Sequence, residues 1–80
     1  MKARVTVTLK QGVLDPQGKA IEGALVSLGF DGVNGVRQGK TFDIELKTDD
    51  LALARTQVEA MCEKLLANTV IETYHIEAVA

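Results

Sequence analysis

Residues Lys10–Lys40 read KQGVLDPQGKAIEGALVSLGFDGVNGVRQGK, and the order of the signals in this stretch sets the fold. The chain leaves an alternating segment through Gly12, Val13 and Leu14. Asp15 then stands where a helix N-cap belongs, and Pro16 occupies the first helical position, where its missing N–H costs nothing. Ile21, Leu25 and Leu28 recur at helical spacing with Ala20 and Ala24 beside them, which predicts a helix from Pro16 to Leu28. Gly29 can take the left-handed conformation that ends a helix, with Phe30 packing back on the last turn. Val33 and Val36 predict a second strand, interrupted by Gly35 at a bulge or close approach. Gln38-Gly39-Lys40 is then the tight turn of a hairpin into a third strand.

The rest of the chain repeats this logic. Val5, Val7 and Leu9 alternate with Arg4, Thr6, Thr8 and Lys10, the period of a strand with one buried face. Phe42, Ile44 and Leu46 alternate with Thr41, Asp43, Glu45 and Lys47 in the third strand. Thr48, Asp49 and Asp50 offer caps for a second helix whose stripe is Leu51, Ala54, Val58, Met61, Cys62 and Leu65, ending near Asn68. A fourth strand is expected from Val70 to Val79. The order βαββαβ over a single domain, residues 1–80, predicts an α+β fold: an antiparallel sheet with two helices on one face, a ferredoxin-like plait or a close variant. In that plait the first and third strands are neighbours, setting Arg4, Thr6 and Thr8 against Asp43 and Glu45. Their threonine-rich face is either hydrated or packed on the same face of another copy.

Composition narrows the function. At 80 residues the chain buries only about 60–65% of its unfolded surface. Its single cysteine, Cys62, excludes an internal disulfide and a cysteine zinc cluster. Association with other copies, as a dimer or a tetramer, is the remaining way to gain stability. A net charge of −2 with interspersed signs, and an aromatic set limited to Phe30, Phe42 and Tyr74, argue against nucleic acid as a partner. No apolar run approaches membrane-spanning length, and MKARVTVTLK lacks the apolar core of a signal peptide, so a cytoplasmic protein is expected.

No catalytic set is evident. Gly18-Lys19 at a helix start invites a phosphate reading. Yet Gly12 and Gly18 enclose five residues where the phosphate loop has four, Ala20 stands in place of the magnesium-binding hydroxyl, and Asp15 puts negative charge where phosphate would sit. His75 shares a strand face with Glu77 but has neither a nucleophile nor a second histidine beside it, and reads as a surface residue. Cys62 falls on the apolar stripe of the second helix and reads as a core residue. Arg37-Gln38-Gly39-Lys40 is the best candidate contact. A turn with two cations can reach a partner's carboxylates, and it is equally what an ordinary exposed turn looks like.

The motif G-V-L-D-P-x-G-x-A-I at Gly12–Ile21, the helix exit A-L-x-x-L-G-F at Ala24–Phe30 and V-x-x-V-R-x-G-K at Val33–Lys40 together resemble the PurS family, the small subunit of phosphoribosylformylglycinamidine synthase. The resemblance extends from V-x-V-x-L-K at Val5–Lys10 to I-E-x-Y-x-I-E at Ile71–Glu77. It implies a non-catalytic subunit of an ATP-dependent ligase of purine biosynthesis. A glutaminase subunit releases ammonia, a synthetase subunit consumes it with ATP and formylglycinamide ribonucleotide, and self-associating small subunits join the two. It also implies no cofactor and no metal on this chain. The alternative is a ligand-sensing module of the ACT type, which shares the βαββαβ order; Gly12 to Asp15 would then line a pocket.

Overall fold

The computed structural model describes residues 1–79. Strand β1 (Lys2–Leu9) is followed by helix α1 (Pro16–Ser27), strand β2 (Lys40–Glu45), helix α2 (Leu51–Met61), a π-helical turn (Cys62–Leu66) and strand β3 (Glu72–Val79). The strands form an antiparallel sheet in the order β2-β1-β3. Strand β1 is central because its alternation is the cleanest: Ala3, Val5 and Val7 are buried, and Lys2, Arg4, Thr6 and Thr8 are exposed. Strands β1 and β2 are neighbours as expected and Arg4 stands opposite Asp43, but Glu45 faces Lys2, Thr6 faces Thr41, and Thr8 lies beyond the paired residues of β2. Arg4 Nε donates to Asp43 Oδ1 at 2.8 Å, and that carboxylate holds the guanidinium still further into its charged form.

Helix α2 packs on β3, and its Val58 joins Val5, Val7, Cys62, Ala67 and Ile76 in the core. Asp50 caps it, accepting from the Ala52 and Leu53 amides at 3.0 and 3.3 Å. The expected extension toward Asn68 exists, but as a π turn in which the Ala67 amide reaches the Cys62 carbonyl.

Both ends of α1 form as expected. Asp15 Oδ1 accepts from the Gly18 amide at 2.9 Å. Gly29 has φ of +96°, and the amides of Gly29 and Phe30 return to the carbonyls of Val26 and Leu25, the paired closure that a left-handed glycine permits. The Phe30 ring nevertheless stays exposed.

The α+β class with its antiparallel sheet and two helices stands, with two particulars corrected. Val33 and Val36 lie outside any strand, and Gln38-Gly39 is not the tip of a hairpin. Instead the segment after Gly29 runs back along α1: the Val36 carbonyl sits against Gly18, and Gly35 lies toward the Glu22 carboxylate. Two valines, each preceded by a glycine (Gly32 and Gly35), offer too little side chain to fix a strand register. The second correction concerns α1, which stands off the sheet. Gly18 is its one buried residue, and none of its side chains joins the core.

The molecule is extended as a result. Its radius of gyration is 16.0 Å, where a compact chain of this length has about 12 Å. It exposes 5774 Å², against about 4,700 Å² for a compact protein of its mass.

Candidate functional site

The Arg37–Lys40 segment and the Gly12–Pro16 loop, read separately in the sequence, meet at the end of β1. Asp15 joins them. Its Oδ1 caps α1, and its Oδ2 accepts from the Gln38 amide at 2.7 Å. The carboxylate is buried among these donors, and the bond from Gln38, then that from Gly18, holds its pKa below the usual aspartate range. A carboxylate accepting two backbone N–H groups favours its charged form in this way.

Arg37 completes the clasp. One guanidinium nitrogen donates to the carbonyls of Leu9 and Lys10 at 2.9 and 3.1 Å, the second of which also accepts from the Val13 amide in the turn out of β1. Gly39 lies so close to β1 that a Cβ there would come within 2.8 Å of the Thr8 methyl and the Val7 carbonyl oxygen. At Gly18 a Cβ would strike the Val36 carbonyl oxygen and Asp15. These two glycines are required by close backbone approach. Gly12, with φ of +85°, is required by the turn out of β1.

Lys40 opens β2 opposite Val7. Its ammonium lies 3.9 Å from the Glu72 carboxylate and 5.8 Å from the centre of the Phe42 ring. Leu9, Asp15, Gln38, Lys40 and Glu72 line a cleft of about 370 Å³. The four residues of the expected contact are all exposed, but Arg37 and Gln38 are already committed to internal hydrogen bonds. Three parts of the site have no signature along the chain: the second role of Asp15, the pairing of Arg37 with carbonyls 27 and 28 positions away, and Glu72.

The other candidates fall elsewhere. Lys19 is exposed and lies 3.4 Å from Glu22 on its own helix. His75 is exposed on β3, 3.8 Å from Glu77. Cys62 is fully buried, and that burial, with Glu63 and Glu59 nearby, pushes its thiol pKa up. Such a thiol is a poor nucleophile. Among the described residues, no three His, Cys, Asp or Glu side chains gather as a metal site would require. Among the same described residues, no helix is long and apolar enough to cross a membrane.

Residues 2–80 match the model of the PurS family, described as phosphoribosylformylglycinamidine (FGAM) synthase. The chain belongs to this family. It is 49% identical over 77 residues to the phosphoribosylformylglycinamidine synthase subunit PurS of Synechocystis, covering 96% of this chain and 77% of that protein. The crystal structure of Methanocaldococcus jannaschii PurS, described as one of the subunits of formylglycinamide ribonucleotide amidotransferase in the purine biosynthetic pathway, superposes with a TM-score of 0.86 at 45% identity, covering 95% of this chain and 92% of that one. A chain in the structure of PurLQS from Thermotoga maritima superposes with a TM-score of 0.88 at 31% identity, covering 98% and 95%. The PurS motifs at Gly12–Ile21 and Val33–Lys40 are therefore the two halves of the clasp.

Proposed function

We propose that this chain is the non-catalytic small subunit of phosphoribosylformylglycinamidine synthase, working in the cytoplasm as a homo-oligomer that joins the glutaminase and synthetase subunits. The observation that carries this reading is the whole-chain likeness to a chain of PurLQS. A site that passes ammonia between two reactions gains from exclusion of water, so a rigid adaptor has a physical task there. The exposed Arg37–Lys40 segment, held to the end of β1 by Asp15 and Arg37, is the surface assigned to a large subunit. Its fixed backbone lowers the ordering cost of binding. The cleft beside Asp15 is where the ligand of an ACT-type module would sit; the family match favours the subunit reading.

The test is reconstitution with the two large subunits. Glutamine-dependent synthesis should require this chain, while synthesis from added ammonium should depend on it less. Co-purification of the glutaminase with the synthetase should fail when the chain is left out. A fully active, fully assembled enzyme without it would overturn the proposal. Lys40→Met, which keeps the stem and removes the charge, should weaken assembly while leaving this chain folded.

A further inference from the structure

The inner face of the sheet is apolar along most of its length and charged at one end. On β2 and β3 it carries Phe42, Ile44, Tyr74 and Ile76, all in the core or packed against it. At the clasp end the same face carries Lys40, opposite Val7, and Glu72, opposite Leu9. Glu72 keeps only 17% of its side chain exposed, and burying a carboxylate is unfavourable unless something pairs with it. The chain itself supplies only part of that pairing. Glu72 Oε1 accepts from the Asn68 amide at 2.7 Å, whereas Oε2 stands 3.9 Å from the Lys40 ammonium, beyond hydrogen-bond length. The Lys40 ammonium has three donors, makes no hydrogen bond within the described residues, and lies near the Phe42 ring. Two opposite charges therefore stand on the walls of one cleft, each with bonding capacity unused.

We propose that this cleft binds a zwitterionic α-amino acid with an amide side chain, its ammonium on Glu72 and its carboxylate on Lys40. The charges select the class. One unsaturated cation and one unsaturated carboxylate match a molecule that bears one charge of each sign; a simple amine would leave Lys40 unmatched, and a simple acid would leave Glu72 unmatched. Both oxygens of Asp15 already accept backbone amides, so Asp15 offers no second cation site, while its charge and that of Glu72 repel a phosphate or a nucleotide. The rest of the lining selects the side chain. Gln17 and Gln38 line the cleft with carboxamides that can both donate to and accept from another amide, and Val7, Leu9 and Pro16 offer apolar surface to its methylenes. At about 370 Å³ the cleft falls at the small end of ligand pockets, which run from about 300 to 1,000 Å³. The subunit reading gives this cleft no occupant, and binding here does not depend on that reading. Lys40 also belongs to the surface assigned to a large subunit, so occupancy biases assembly, a consequence that does rest on it.

The experiment uses the isolated full chain, with L-glutamine and L-asparagine as probes. At millimolar concentration at least one of them should raise the thermal midpoint by mass action and move the amide resonances of Gln17, Gly39, Lys40 and Glu72. Nα-acetylglutamine, which lacks the ammonium, and glutaminamide, which lacks the carboxylate, should do neither at the same concentration. Glu72→Gln keeps the acceptor for the Asn68 amide and Lys40→Met keeps the stem, so both variants should fold. Each should weaken binding roughly tenfold or more, as expected for one lost charge-assisted hydrogen bond. Resonances that stay in place with both probes would overturn the proposal, and so would binding that the acetylated probe matches or that Glu72→Gln retains. Should Glu72→Gln fail to fold, Lys40→Met and the two blocked probes decide the matter. Because no large subunit is present, a failure here is separate from a failure in the reconstituted enzyme.

Discussion

Helices α1 and α2 both begin on an aspartate, yet they are tied to the molecule by opposite means. Asp50 caps α2 and does nothing more. The helix stays in place because Val58, Ala54 and the following Cys62 are buried. Asp15 caps α1 and also clasps Gln38, and α1 buries only a glycine. One helix is held by apolar burial, the other by directed polar bonds at one end. The sheet and α2 therefore form a unit with its own core, whereas α1 and the segment returning along it, together an arm, are held in direction but left uncovered. Burial stabilises in proportion to the area removed from water, and polar bonds stabilise only weakly but fix geometry.

The largest expected effect lies in the first unit. Val58→Asp places an unpaired carboxylate at 0% exposure, which costs several kcal/mol, a large part of a total stability of about 5–15 kcal/mol. The variant should lack a cooperative denaturant transition. Val26→Asp, on the arm, should keep one. If the two behaved alike, the division into a self-sufficient unit and an uncovered arm would be broken.

A smaller effect separates the two caps. Asp50→Ala should cost about 1 kcal/mol, the usual value of an N-cap. Asp15→Ala should cost more, because it also frees the Gln38 amide. Equal shifts in denaturant midpoint would reduce the clasp to an ordinary cap. Acid sharpens the comparison. Since the folded state lowers the Asp15 pKa, its contribution is present above the unfolded value of about 3.9 and is lost as pH falls through the folded one. The advantage of the unsubstituted protein over Asp15→Asn should therefore narrow below about pH 4, as read from urea midpoints across pH.

What could be read in the sequence follows the same division. Asp15-Pro16, Gly29 and the pairing of Arg4 with Asp43 depend on neighbours along the chain or on strand alternation, and all three stand where expected. The path of Val33 and Val36 depends on contacts with α1 that no local pattern specifies. In the sequence Arg37 reads as a free cation at a turn, because its partners are backbone carbonyls, which have no signature in side-chain spacing. The position of α1 differs for a related reason. Its stripe at Ile21, Leu25 and Leu28 specifies an apolar face without specifying what that face packs against.

The smallest effect probes that stripe from its other side. Gly23 lies about 200° around the helix from Ile21 at 3.6 residues per turn, away from the stripe, and a Cβ built there meets nothing within 4 Å. Gly23→Ala should therefore stabilise the protein by about 0.5–1 kcal/mol, because alanine loses less backbone entropy in a helix than glycine. The self-association expected under the proposed function should stay unchanged, whereas Leu28→Asp, on the exposed stripe, should weaken it. A rise in thermal midpoint with unaltered sedimentation would place the docking face on the Ile21 and Leu28 side alone. If Gly23→Ala instead weakened association, the partner would have to approach the glycine face closely, and the arm would be gripped from both sides.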